Sequence, residues 1–249
     1  MELIRVEDFC KRFGDKVVHQ GVTFAVKRGE CLGLLGGSGS GKSVILRSLI
    51  GLEKPDTGEI HIDETEISKF TERQLISIRK KVAYAFQGGA LFDSMTVFDN
   101  LAYPLLEHTK LSKNEIENKV LKTLADFDLK GSENLLPSNL SGGMQKRVGL
   151  ARAIIMEPEI ILYDEPTAGL DPFNTRVIQE TIIRLKKTGV TSILVTHDMP
   201  SAIAVCDRIL LLVRGKIVAE ATARDVMDGK VKEIANFMEG NPRRSDGSR

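Results

Sequence analysis

Residues 36–43 read Gly-Gly-Ser-Gly-Ser-Gly-Lys-Ser, and few strings limit a fold as tightly. A G-x-x-x-x-G-K-[ST] loop does its work between a strand and a helix. Its glycines let backbone N–H groups curl around phosphate oxygens, and the helix behind adds the positive end of its dipole. The flanks have that shape. The apolar run Cys31–Leu35 enters the loop, and the helical pattern Ser43-Val-Ile-Leu-Arg-Ser-Leu-Ile-Gly-Leu leaves it. Gly36, Gly37, Ser38, Gly39, Ser40 and Gly41 are therefore expected to cradle the phosphates of a nucleotide such as ATP. Lys42 would reach the β- and γ-phosphates, and the Ser43 hydroxyl would ligate Mg²⁺.

Three more short apolar runs stop abruptly at a polar residue. Val82–Phe86 ends at Gln87, Ile160–Tyr163 at Asp164 and Glu165, and Ser192–Thr196 at His197. Unbroken apolar runs of this length suit parallel strands covered on both faces, and helical patterns such as Thr175–Gly189 lie between them. The alternation predicts an α/β fold, in which ligands sit beyond the carboxyl ends of the strands. At that edge Asp164 would anchor the metal, Glu165 would act as general base on an attacking water, and His197 would sense the γ-phosphate. Gln87 has the weakest individual claim and gains from its address.

The first sixty or so residues alternate like half-exposed antiparallel strands, whereas 88–158 carries helical patterns and no strong strand run. One domain spanning 1–249 is expected. It divides into a core with an antiparallel β region (1–87), a helical subdomain (88–158), the rest of the core (159–238) and a Gly/Pro/Ser-rich tail (239–249). Apolar residues make up 42% and charged residues 28%, enough for an ordinary core. The net charge of +1 gives no reason to expect nucleic acid. Cys10, Cys31 and Cys206 are too scattered for a disulfide framework or zinc cluster and are expected as buried free thiols. The N-terminal stretch Met1–Phe9 is acidic where a signal peptide is basic, and the longest apolar run, Ile209–Val213, is far short of a membrane span. A cytosolic chain that reaches any membrane through a partner is expected.

Leu140–Arg147, Leu-Ser-Gly-Gly-Met-Gln-Lys-Arg, is a second anion-binding turn opening a helix. Ser141 and the N–H groups of Gly142 and Gly143 would serve it. Two copies arranged head to tail would place each such turn over the other copy's nucleotide, giving two composite sites in one symmetric dimer.

The order of the phosphate loop, Gln87, Leu140–Met144, Ile160–Glu165, Ala168–Asp171 and His197 resembles the ATPase subunits of ABC transporters over nearly the whole chain. The resemblance implies a P-loop NTPase core and adds roles. Phe13 would stack on adenine, Gln87 would link the Mg²⁺ held by Ser43 and Asp164 to a membrane permease, and Asp171 would contact the partner cassette. One departure is Met144, where many members carry glutamine, displaced here to Gln145. Phe86–Ser112 is similar to the same region of the Mla-type ATPases, which energise MCE-protein lipid transport between bacterial membranes. That likeness implies a permease, an MCE-domain protein, a small regulatory subunit and phospholipid cargo at the cytoplasmic side of the inner membrane. Leu91, Phe92 and Phe98 would offer the permease an exposed apolar groove. An importer ATPase for amino acids or another small solute shares every catalytic motif and is the alternative.

Overall fold

Alternating apolar residues give the chain its first layer. The computed structural model describes residues 1–239, so the expected tail at 239–249 lies outside the described residues except for Glu239. Strands β1 (Glu2–Phe13) and β2 (Lys16–Lys27) form an antiparallel hairpin across the turn at Gly14-Asp15. Strand β3 (Cys31–Leu35) leads through the glycine loop to α1 (Lys42–Leu49), and β4 (Thr57–Ile62) and β5 (Thr65–Glu66) return to the first sheet, whose order is β2-β1-β4-β5. Ile4, Val6, Ile60 and Ile62 bury its inner face.

Helix α2 (Glu72–Lys81) delivers β6 (Val82–Ala85), after which the chain forms α3 (Val97–His108), α4 (Lys113–Asp126) and α5 (Gly142–Ile154). Thr96 and Ser112 each close a reciprocal capping box, which explains the sharp starts of α3 and α4. The remainder alternates: β7 (Ile160–Asp164), α6 (Pro172–Lys187), β8 (Thr191–Thr196), α7 (Met199–Val205), β9 (Arg208–Val213), β10 (Lys216–Thr222), α8 (Ala223–Met227) and α9 (Lys232–Met238).

The second sheet has the order β10-β9-β3-β8-β7-β6, parallel except for the β9–β10 hairpin. Its central strands β3, β7 and β8 are buried along their whole length, as their unbroken apolar runs require. Leu32, Leu34, Leu162, Ile193 and Val195 point to α1 and the antiparallel sheet. Cys31, Ile161, Tyr163, Leu194 and Leu211 point to the core shared with α3–α7. All three cysteines are free; Cys31 and Cys206 are buried as expected, but Cys10 is only half-buried.

His19 in β2 is fully buried and edge-on to the Phe9 ring at 5.1 Å. Burial lowers its pKa from 6.5 to about 4, opposed by the backbone of Gly41. A folded-state pKa below the unfolded one means that the folded chain binds fewer protons. Stability is then complete above about 6.5 and is lost as pH falls toward about 4. At about pH 5 the loss is on the order of 2 kcal/mol relative to neutrality. Thermal melts of the wild type and His19→Leu between about pH 7 and 5 should show a smaller decline in the variant. Parallel declines would mean that His19 is not the group responsible.

Candidate functional site

The parallel register brings the strand ends level. Ala85 pairs with Tyr163, Asp164 with Val195, and Leu35 with Thr196. The residues that follow each end therefore meet along one edge. Gly37, Ser38, Gly39, Lys42, Ser43, Gln87, Glu165 and His197 line a single cleft of about 1060 Å³.

The phosphate loop is shaped by close packing from beneath. Gly41 has φ 97°, and a Cβ there would lie 2.5 Å from the His19 imidazole, so neither the backbone nor the space admits another residue. Lys42 Nζ donates to the carbonyls of Gly36 (2.8 Å) and Gly37 (3.1 Å) and lies 3.6 Å from Glu165 Oε1. Burial pushes this ammonium below its ordinary pKa, and the carboxylates of Glu165 and Asp164 pull it back.

Asp164 ends β7 almost fully buried. Ser43 Oγ donates to its Oδ1 and Tyr84 Oη to its Oδ2, both at 2.7 Å. Burial, then the neighbouring carboxylate, raises the Tyr84 pKa, so the phenol stays a donor. Glu165 follows in the left-handed region, at φ 50°. That conformation is costly for a non-glycine residue and has to be held by its surroundings. Its N–H donates to the Val195 carbonyl at 2.9 Å. Its Oε2 accepts from the His197 backbone N–H at 3.3 Å and lies 2.9 Å from Nδ1 of the same residue. The arrangement unites a cation for phosphate, a hydroxyl–carboxylate pair suited to a hard cation, and a carboxylate beside an imidazole at the mouth of one cleft.

Other expected residues lie elsewhere. Phe13 is half-exposed, with Lys11 Nζ 5.0 Å from its ring centroid, and lines a separate groove of about 370 Å³ that shares Gly39, Lys42 and Ser43 with the main cleft. Ser141 caps α5 by accepting the Met144 N–H (3.3 Å), and Asp171 caps α6 by accepting the Asn174 N–H (2.9 Å). Neither lines the main cleft, nor do Gly142 and Gly143. Gln145 does not stand in for a glutamine at 144. Its amide turns back to donate to the carbonyls of Pro137 (2.9 Å) and Leu140 (3.3 Å), so it braces the turn instead of extending it.

The expected apolar groove needs the same correction. Leu91 and Phe98 are half-buried and pack on the core, leaving Phe92 exposed. Phe92 meets Tyr103 edge-on at 5.2 Å and carries Arg152 over its face at the same distance, and Leu106 stands exposed one turn beyond Tyr103. Tyr84, Tyr103 and Leu106 escape sequence reasoning. Tyr84 lies inside an apolar run that reads as pure core. Tyr103 and Leu106 have helical spacing across Pro104, a signal easily taken for a buried face.

The profile of the ABC transporter family matches residues 19–168. MlaF of Haemophilus influenzae, named an intermembrane phospholipid transport system ATP-binding protein, is 37% identical over 246 residues, or 98% of this chain and 92% of that one. The Mycobacterium tuberculosis protein mkl, named a probable ribonucleotide transport ATP-binding protein, is 40% identical over 238 residues, or 95% of this chain and 66% of that one. Among solved structures, the ATP-binding cassette MJ0796, a dimer bound to ADP and Pi, has a TM-score of 0.83 at 32% identity and covers 89% of this chain and 99% of that one.

Tyr84→Phe removes one of the two donors to a buried carboxylate, at a cost of about 1–2 kcal/mol. A chain of this size loses about 2–4 °C of melting temperature for each kcal/mol. An unchanged melt would show that Asp164 does not depend on this phenol.

Proposed function

The chain belongs to the ABC transporter family as an ATP-binding, ATP-hydrolysing subunit, and on that premise we propose that it powers phospholipid movement between membranes through a permease and an MCE-domain protein. The carrying observation is the convergence of Lys42, Ser43 and the Glu165–His197 pair on one cleft, with Asp164 hydrogen-bonded to Ser43. The lipid reading is supported by likeness to MlaF across 98% of the chain.

In this reading Lys42 leaves the loop carbonyls for the β- and γ-phosphate oxygens, and the N–H groups of 36–43 surround them. Ser43, Asp164 and the Gln87 amide oxygen would hold Mg²⁺; these are the oxygen donors that a small hard cation prefers. When bound, the ion neutralises charge that builds on the phosphate oxygens. Glu165 accepts the proton of the attacking water, and His197 orients that carboxylate and contacts the γ-phosphate. Most of the rate comes from positioning and charge stabilisation, since phosphoryl transfer needs no covalent help from the protein.

The homodimer is head to tail, with Ser141, Gly142 and Gly143 of one copy over the nucleotide of the other and Asp171 at the seam. Phe13 stacks on adenine from its neighbouring groove. Residues 1–87 and 159–238 act as one core, and 88–158 as a helical subdomain that grips the permease through Phe92, Tyr103 and Leu106, which are exposed. No helix among the described residues is long and apolar enough to cross a membrane. Attachment through the permease at the cytoplasmic side of the inner membrane fits that observation, and a small regulatory subunit would complete the complex.

Glu165→Gln should still bind ATP but lose about 10²–10⁴-fold in turnover and accumulate as a closed dimer. Turnover at the wild-type rate would take Glu165 out of the base role. Lys42→Ala should weaken nucleotide binding, read with a fluorescent ATP analogue; unchanged affinity would contradict its phosphate contact. Purification of the tagged chain from native membranes tests the cargo. Co-purifying permease, MCE-domain protein and phospholipid support the lipid reading. A solute-binding protein or bound nucleotide cargo without lipid replaces it with solute or ribonucleotide transport.

A further inference from the structure

Helix α5 makes two contacts within the same chain, one with the loop that carries Glu165 and one with the first turn of α6 behind it. Lys146 Nζ donates to the Ala168 carbonyl, and Ala168 N–H in turn donates to the Glu165 carbonyl at 3.2 Å. Gly143 lies so close to Asn174 that a Cβ there would stand 2.7 Å from its amide carbon, and Asn174 is itself bonded to Asp171 at 2.9 and 2.5 Å. A larger residue at 143 would have to displace the Asn174 amide. The next side chain on the helix, Arg147, is buried and donates to the carbonyls of Phe127 (3.0 Å) and Asp128 (3.3 Å). One helix turn is thus tied to the α4 end on one side and to the Glu165 loop and the start of α6 on the other.

Lys146 itself is half-buried at this contact. Burial lowers its pKa while the negative charge of Glu165 acts against that shift, so the ammonium stands within electrostatic reach of the carboxylate. Glu165 needs such restraint. Its φ is 50°, a conformation that neighbours have to enforce. The turn 165–168 that holds it is closed by the Ala168–Glu165 bond. The Lys146 contact takes the carbonyl of the same Ala168.

We propose that Lys146 is a positioning residue for hydrolysis. It holds the turn 165–168 closed, and it links displacement of the Ser141–Gly143 turn to the placement of Glu165 in the same chain. The proposal rests on the hydrolytic reading given above. Lys146 is not among the residues that line the main cleft, so its loss should spare nucleotide binding and slow the chemical step.

The test uses the full chain in its native membrane complex, with Lys146→Met and Lys146→Arg. In Lys146→Met, kcat should fall about tenfold while KM for ATP stays within about twofold, the signature of an interaction that matters in the transition state. Lys146→Arg, which keeps a donor of similar reach, should recover most of that loss. Hydrogen exchange at the amides of Glu165, Thr167 and Ala168 should quicken in Lys146→Met and not in Lys146→Arg. Wild-type kcat in the methionine variant, a loss of kcat matched by an equal loss of ATP affinity, or unchanged exchange overturns the proposal. If the wild type itself turns over no ATP, the hydrolytic reading fails, and exchange at 165–168 still decides whether Lys146 clamps the turn.

Discussion

Ser43 and Tyr84 each give a hydrogen bond to one oxygen of Asp164, and this pair ties three distant stretches of chain to the end of one strand. Ser43 comes with the phosphate loop, Tyr84 with β6 and Asp164 with β7. The carboxylate is nearly buried, where an ionised group without partners is costly. Its two donors therefore stabilise the group and also set the spacing between the loop and its neighbouring strands. That spacing in turn depends on the parallel register, since a slip of one residue along β7 would turn Asp164 to the opposite face.

Glu165 shows the same economy one residue later. Its side chain is mostly enclosed, with Lys42 at 3.6 Å on one oxygen and His197 at 2.9 Å on the other. Its backbone is held by Val195 and Ala168. A carboxylate on a freely turning loop would sample many positions, and each loss of order would slow a reaction that relies on placement. The left-handed backbone at Glu165 is thus a strain offset by contacts from β8 and, through Ala168, from α5.

Much of this is legible before any coordinate. Strand ends at Leu35, Asp164 and Thr196 announce themselves because apolar runs stop at glycine or polar residues, and parallel sheets collect ligands at that edge. The phosphate loop carries its own geometry in its glycines. Less is legible where a residue acts through the fold. Tyr84 reads as one more strand residue, and its role emerges only when β6 is seated beside β7. His19 sits in an alternating strand like any half-buried position, yet its ring lies under Gly41 because the antiparallel sheet folds over the loop. The family likeness puts Leu91 and Phe98 at the surface, but helices α3–α5 bury an apolar stripe of their own and recruit both. Gln145 reads as a neighbour of the anion site, and two carbonyls upstream of its helix claim it first.

The turn at Ser141–Gly143 poses the sharpest spatial question. It opens a helix, and Ser141 and Gly142 are exposed, but the cleft of its own chain does not include it. A helix start with free N–H groups favours an anion, and the anion expected here belongs to a nucleotide. Under the proposed head-to-tail arrangement that nucleotide lies on the other copy. Each copy then offers a complete phosphate loop and a remote cap for its partner. The Lys146 and Gly143 contacts give this division a consequence. A cap that moves onto the partner's nucleotide carries with it the loop that holds its own Glu165, so neither cleft would be fully ordered for hydrolysis until both caps are seated. Two sites linked in this way would respond to ATP together, since the free energy of seating one cap is shared with the loop that serves the other site.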